Sequence, residues 1–433
     1  VVLALSLPVL LSLIAEPVTG LVDTAFVARL GAAPLAALGV GTMVLSSVFW
    51  IFNFLSIGTQ TEVAQASGGG TPARAARMGT LALLLGLILG TLLAIAGFAA
   101  ADPAARLLGA TGTVASEART YIRIRLFGAP AVLVTIAAFG ALRGMQDMRT
   151  PLLVAVGINA LNVLLDAVLI FGWGPVPPLK IGGAAAASSL SWWIGALWAV
   201  MAVRRRVGFA DWVPFAEVRG LLRVGGDLFV RTGLLTLFLL LATRMATRIG
   251  ADTGAAHQAI RQVWVFTALF LDAFAISGQS LIGYFVGAGH RAVARRVAGI
   301  VCLWSAGTGV VLAVIMWCGR SLVVAALVPP TAAAVFLPAW LVAAAAQPLN
   351  ALSFATDGIH WGTGDFRYLR NAVATATACG AVALALVDEG RPNALSLIWA
   401  ATAGWIMVRA FFGLLRIWPG VGKSPLTLPA REE

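Results

Sequence analysis

Two carboxylates, Asp23 and Asp166, stand inside long apolar runs of this chain. A charge in such a place is costly and marks a functional site by default. Asn162 precedes Asp166 by four residues, so on a helix both face the same way, one turn apart. Asp23 and Asp166 each lie about six residues from the far end of their runs, and Ser188 lies about seven residues into the next run. At ~1.5 Å per residue, all four groups share a depth roughly 10 Å below one membrane surface. Two carboxylates in a poorly hydrated niche repel one another, and a proton or Na⁺ relieves the repulsion. The amide and hydroxyl oxygens of Asn162 and Ser188 suit a hard cation. The chemistry expected of this set is ion binding.

Glu16 precedes Asp23 by seven residues on roughly the same helix side, next to Pro17. Pro8 and Pro17 each remove a backbone hydrogen bond and can bend the run that carries Asp23. The second half of the chain has its own charges: Asp227 and Arg231, then His257, Arg261 and Asp272, then Asp357 and His360. Asp227 and Arg231 are one turn apart and could form an ion pair. His257 reads as a hydrogen-bonded structural histidine, and Asp272, mid-run, as a cavity-lining acid. We take Glu16, Asp227, Arg231, His257, Arg261, Asp272 and Asp357 as the candidate substrate cavity. Phe49, Trp50, Phe52 and Phe54 could line an apolar path, but packing or lipid contact accounts for them more simply. Cys302, Cys318 and Cys379 show no Cys-x-x-Cys spacing and are expected as buried packing. No phosphate-cradling glycine loop, His-Glu-x-x-His site or Gly-x-Ser-x-Gly elbow occurs in the sequence. An ATPase and an intramembrane enzyme are thereby disfavoured, and neither a resident metal nor a cofactor is expected.

The elements that must hold these residues follow from composition. Of 433 residues 60% are hydrophobic and 11% charged, against about 25% charged in soluble domains. Twelve continuous runs can be drawn, at roughly 3–29, 35–66, 76–101, 114–142, 150–172, 181–203, 219–248, 254–287, 294–318, 332–361, 367–387 and 394–417. Each is long enough to cross a ~30 Å hydrocarbon layer, and none alternates with the period-two pattern of a membrane β-barrel. The fold class expected is an all-α membrane protein of twelve transmembrane helices in two six-helix bundles. The first lobe spans 1–203, a cytoplasmic linker 204–218, and the second lobe with its tail 219–433. The chain opens on apolar residues at Val1 without Met, so an N-terminal segment is expected to precede it.

The net charge of +12 does not signal nucleic acid, because the cations fall between the runs. One set of connections holds Arg74, Arg77, Arg143, Arg149, Arg204, Arg205, Arg206, Arg219, Arg223, Arg291, Arg295, Arg296, Arg367 and Arg370, and the tail adds Arg416, Lys423 and Arg431. The other set holds only Arg29, Arg106, Arg119, Lys180, Arg248, Arg320 and Arg391. The richer side is expected to face the cytoplasm with both termini.

The chain also contains a second copy of itself. Pro130, Gly140, Gly144, Asp147 and Arg149 recur as Pro348, Gly358, Gly362, Asp365 and Arg367, each displaced by 218 positions. Arg29-Leu30-Gly31 returns as Arg248-Ile249-Gly250, displaced by 219. Six runs per half make the repeat parallel, about a pseudo-two-fold axis along the membrane normal. Gly68-Gly69-Gly70 and Gly287-Ala288-Gly289 read as matching helix stops. The repeat sets Ala242 opposite Asp23 and an apolar stretch near Leu384 opposite Asp166, so these acids are not demanded by the fold.

Several segments together resemble the multidrug and toxic compound extrusion (MATE) family, in its DinF-like branch. They are Leu5-Ser6-Leu7-Pro8 through Glu16-Pro17, Leu21-Val22-Asp23-Thr24-Ala25-Phe26-Val27 with Arg29-Leu30-Gly31, and Leu35-Ala36-Ala37-Leu38-Gly39. Leu142-Arg143-Gly144-Met145-Gln146-Asp147-Met148-Arg149-Thr150-Pro151, followed by Asn159, Asn162 and Asp166, is similar to the family's fourth-to-fifth span signature. Gly183 to Ser188 looks like the opening of its sixth span, with Ser where Thr is commoner. Ala255-Ala256-His257-Gln258-Ala259-Ile260 and Asp357 to Phe366 resemble branch-specific segments. The resemblance implies a two-lobed antiporter with a V-shaped central cavity that exports drugs, toxic cations or metabolites against protons or Na⁺. It implies a first-lobe cation site of Asp23, Asn162, Asp166 and Ser188, and a first span that bends at Pro8. Organic-acid export, of citrate-like anions, stays open through plant members of the branch, with Arg231 and Arg261 able to serve an anion. A lipid-linked oligosaccharide flippase of the same superfamily and a non-transporting membrane receptor are the rival readings. The partners expected are a small organic substrate and the bilayer of an inner, plasma or organelle envelope membrane, with no nucleic acid, and the protein acting as a monomer.

Overall fold

A run of some 20 apolar residues in hydrocarbon must satisfy its backbone hydrogen bonds internally, and a helix does so within a single segment. The computed structural model describes residues 1–427, apart from the side chain of Phe215; Arg431, counted above among the tail cations, lies outside them. The first half contains α1 (Val2–Ala28), α2 (Ala32–Ile51), α3 (Phe54–Gly68), α4 (Pro72–Leu107), α5 (Gly112–Leu126), α6 (Ala129–Gly144), α7 (Arg149–Phe171) and α8 (Lys180–Arg206). The second half contains α9 (Phe215–Ile249), α10 (Ala251–Gly287), α11 (Arg291–Cys318), α12 (Arg320–Leu327), α13 (Ala333–Ala345), α14 (Gln347–Thr363), α15 (Phe366–Ala385) and α16 (Ala394–Ile417). No strand forms among the described residues beyond an isolated Trp173–Val176 bridge.

Among the described residues, nine helical stretches have the length and apolarity to cross a membrane, or eleven if each of two bent pairs counts as one span. The expected run 35–66 is α2 and α3 in continuation, interrupted at Phe52–Asn53. Runs 114–142 and 332–361 are the bent pairs: α5 with α6 turns by 50°, and the helix ending at Ala345 meets α14 at 44°. Pro130 and Pro348 sit in the first turn after each bend, where a missing N–H costs nothing. The span expected at 367–387 is α15, whose first turns carry Arg367, Arg370 and Asn371. Three details differ from the sequence reading. Arg119 belongs to α5 rather than to a connection, as Arg106 belongs to α4, Arg143 to α6, Arg248 to α9 and Arg416 to α16. The linker is shorter than 204–218, because α8 runs to Arg206 and α9 begins at Phe215. Cys302 is buried, but Cys318 and Cys379 are exposed on their helices, where lipid accommodates a thiol as a packed core would.

The chain divides into two compact units, one of Leu7–Leu222 and one of Val1–Ser6 together with the chain from Arg223 onward. The first residues join the second unit because Val2 packs into a core with Phe274, Ile282, Val301 and Ile359. Within each unit the repeated glycines do the same work. A Cβ on Gly140 would strike the backbone of Ser56 and one on Gly144 the Gln60 carbonyl; Gly358 and Gly362 stand likewise against Ala275 and the Gln279 carbonyl. Gly90 abuts Pro130 and Gly309 abuts Pro348. Only glycine permits these backbones to approach so closely, as in other membrane helix pairs. Gly70 (φ 65°) and Gly289 (φ 77°) take the left-handed conformation just after α3 and α10.

The repeated acids are structural too. Asp147 receives the Thr150 N–H at 3.0 Å and its hydroxyl at 2.7 Å, and lies 3.7 Å from Arg206 at the end of α8. Asp365 accepts Arg416 Nε, near the end of α16, at 2.7 Å. In both units this acid, placed between the fourth and fifth spans, ties down the sixth.

Candidate ion-coupling site

The unshared acids are arranged differently. α1 carries Asp23, α7 carries Asn162 and Asp166, and α8 carries Ser188. Asp166 is 0% exposed, Asn162 4% and Ser188 7%, while Asp23 is half-buried. With its NH₂ toward α1, Asn162 donates to Asp23 Oδ1 at 3.1 Å and its oxygen accepts from Ser188 Oγ at 3.2 Å. That orientation satisfies both ends of the amide, which is the physical ground for assigning it. The structure therefore brings all four first-lobe residues together.

Asp166 is the exceptional member. Both its carboxyl oxygens are buried with no N–H or O–H donor from a neighbour. Its carboxyl group instead faces that of Asp23 within hydrogen-bonding reach. Two ionised carboxylates are acceptors only and cannot bond to each other; with one proton between them they can. Two unit charges 4 Å apart would repel by about 4 kcal/mol at an effective dielectric of 20, a cost that one shared proton or cation would offset.

Sequence reasoning missed two members of this environment. Tyr121, 2% exposed, and Arg125, four residues later on α5, act electrostatically on both aspartates. Arg125 also acts on Glu16, and its Nε and one Nη are buried without acceptors. The i, i+4 spacing of Tyr121 and Arg125 on α5 was the available signal. Glu16 itself remains exposed, and α1 stays helical through Pro8 and Pro17.

In the second unit the candidates do not form one cavity set. Asp227 and Arg231 do not pair: Asp227 binds Arg370 at 2.6 Å, and Arg231 binds Asp357. Their proximity on α9 gives way to partners on other helices, α15 for Asp227 and α14 for Arg231. Asp357 also accepts Arg409 of α16 at 2.8 Å, a residue the sequence reading passed over. His257 sits 3.2 Å from the Thr243 hydroxyl, with its ring 5.5 Å from Trp399. Arg261 is half-buried with its Nε lacking an acceptor, and Asp272 is half-buried on α10. His360 is buried, 3.1 Å from the Gly413 carbonyl. Phe49, Phe52 and Phe54 pack against the first unit's core, while Trp50 is 61% exposed.

Comparison with known proteins adds the following. The MatE family model matches residues 8–168 and again 228–386, once in each half. The chain is 31% identical to Protein DETOXIFICATION 44, chloroplastic, of Arabidopsis thaliana, across 97% of this chain and 78% of that protein. It is 28% identical to DNA damage-inducible protein F of Escherichia coli K12, across 95% and 88%. A crystal structure of MATE in the bent conformation superposes with a TM-score of 0.88 at 21% identity, covering 96% and 95% of the two chains.

Proposed function

We propose that Asp23 and Asp166 are the coupling site of an export antiporter, reasoning from the premise that this chain belongs to the MatE family of membrane transporters. Members of the family are transporters, not enzymes, and the chain is an integral membrane protein. In this reading a proton loads the Asp23–Asp166 pair from the outside. Loading shifts the balance between outward- and inward-facing states, and an organic substrate leaves in exchange by alternating access of the two lobes. The observation that carries it is Asp166: a fully buried carboxyl group whose nearest hydrogen-bonding neighbour is another carboxyl group.

A proton is the coupling ion in this reading, since one proton lets the two carboxyl groups hydrogen-bond to each other without further oxygen ligands. Arg125 adds fixed positive charge nearby, which offsets part of the repulsion between the two carboxylates and eases release of whichever cation has loaded. The arginine bias between spans supports cytoplasmic termini. Pro8 and Pro17 each remove a backbone hydrogen bond, which lets α1 flex as Asp23 loads.

The test is export by purified protein in liposomes under an imposed pH gradient, with Na⁺ varied independently. Asp23→Asn should lose gradient-driven export while still binding substrate. Full export by that variant, or a dependence on Na⁺ alone, would overturn the reading.

A further inference from the structure

We infer that the groove between α11 and the α13–α14 bend holds one acyl chain of an anionic phospholipid, whose phosphate rests on Arg320. Neither the Asp23–Asp166 pair nor the export reading enters into it.

Val310, Val314 and Trp317 are spaced i, i+4 and i+7 and so share one face of α11. Ala344, Ala345 and Pro348 stand across from them, on either side of the 44° bend. Between the two walls lies a groove of about 250 Å³ with an almost wholly apolar lining. It narrows at one end, where Gly309 abuts Pro348. On the buried side the walls are tied together: Trp340 Nε1 of α13 donates to the Met316 carbonyl of α11 at 3.0 Å. On the other side Val310, Val314 and Trp317 are about half exposed, on a helix apolar enough to cross the membrane. The groove thus opens to hydrocarbon and runs ~10 Å along α11, seven residues at ~1.5 Å each. Trp317 ends that helix, as tryptophans do at the headgroup level. Just beyond it, Arg320 donates to the Trp317 carbonyl at 2.9 Å, with its guanidinium 5.7 Å from the indole ring. Neither contact is with an acid. A lipid phosphate would supply the counter-charge, in the geometry that arginine favours.

The first unit shows the same place filled by the protein itself. At the repeat displacements Phe98 stands where Trp317 does, Phe127 where Ala345 does and Arg123 where Leu341 does. The Phe127 ring meets Phe98 edge-on, with centroids 6.4 Å apart. Arg123 reaches across from α5 to α4, its guanidinium 4.5 Å from the Phe98 ring and its Nε donating to the Phe98 carbonyl at 3.3 Å. Ring and guanidinium together plug the space beside the bend. In the second unit both plugging groups are gone, and Leu126 has become Ala344. The cation has moved to the rim as Arg320, where the first unit has the buried Ala101. Both units keep the bend, so the open space is not a requirement of bending. It belongs to the second unit alone, apolar along its length and cationic at its mouth, as a phospholipid requires.

Native mass spectrometry of the full chain, released from nanodiscs of mixed phosphatidylglycerol and phosphatidylcholine, reads the occupant directly. The wild type should retain a phosphatidylglycerol molecule, preferred over phosphatidylcholine by about tenfold, the worth of one charge-assisted hydrogen bond. Inorganic phosphate should not displace it, because the acyl chain supplies most of the affinity. Ala345→Phe rebuilds the first unit's plug at an exposed position, where the ring meets no packed core. It should weaken retention of both lipids by about tenfold or more, through lost burial of the chain. Ala345→Leu, a smaller plug, should weaken it less. Arg320→Gln should still retain a lipid but lose the preference for phosphatidylglycerol. A wild type that holds no phospholipid, holds the two lipids equally or releases its lipid to inorganic phosphate overturns the inference. So does Ala345→Phe holding lipid as tightly as the wild type. A dimer that Ala345→Phe splits would make the occupant a second copy of the chain, and would overturn it too.

Discussion

The two units are built on one pattern but carry different buried charges. The first sets the carboxyl group of Asp23 against that of Asp166, and the second sets the guanidinium groups of Arg231 and Arg409 on Asp357. Their shared parts, the close-approach glycines, the bends before Pro130 and Pro348 and the acids Asp147 and Asp365, are architectural. Their unshared parts are not. Where the first unit has Asp23 and Asp166, the second has Ala242 and Leu384, both sealed in a hydrophobic core. A repeat thus separates scaffold from chemistry within a single sequence: what both copies keep supports the fold, and what one copy alone carries is available for function.

The contrast can be broken most severely at Asp166. Asp166→Asn should abolish gradient-driven export in proteoliposomes while leaving the melting temperature close to that of the wild type, since it removes a repulsive charge and no donor. Transplanting the acid to the other unit tests the converse. Leu384→Asp buries a carboxylate in an apolar core and should cost roughly 3 kcal/mol or more, read as loss of folded protein in a thermal or detergent challenge, with no gain of ion coupling. The shared scaffold should respond alike in both copies. Gly140→Val and Gly358→Val should each lower stability by about 1–3 kcal/mol through overpacking, and a much larger effect in one copy would show that the two contacts are not equivalent. The smallest effect belongs to the rim: Arg248 and Glu389 stand 3.6 Å apart and well exposed, so Glu389→Gln should change stability by less than about 0.5 kcal/mol.

Much of this was legible from residue order. Continuous apolar runs give helices, the displaced glycines and prolines give the repeat, and equal depth brings Asp23, Asn162, Asp166 and Ser188 to one level. Depth says nothing of helix rotation, which explains the misreadings. Asp227 and Arg231 share a helix face, yet each finds its partner on another helix. Arg409 reads as an isolated cation in the last run until α16 packs beside α14 and sets it on Asp357. Arg125 hides among the other arginines of α5, and only folding shows that it acts on the aspartates. The break at Phe52–Asn53 is marked only by the single Asn53 in an apolar run, whereas the short α12 is bounded by Gly319-Arg320 and by Pro329-Pro330.

The central claim is that one proton is shared between two carboxyl groups of the first unit. Infrared difference spectroscopy across a pH jump reads it most directly, through the carbonyl stretch of a protonated carboxylic acid. The account predicts a band that titrates in the wild type, shifts when Asp23 is changed to Asn and vanishes in Asp166→Asn. A band that survives unchanged in both variants, or none in the wild type at any pH at which the protein is folded, would contradict it.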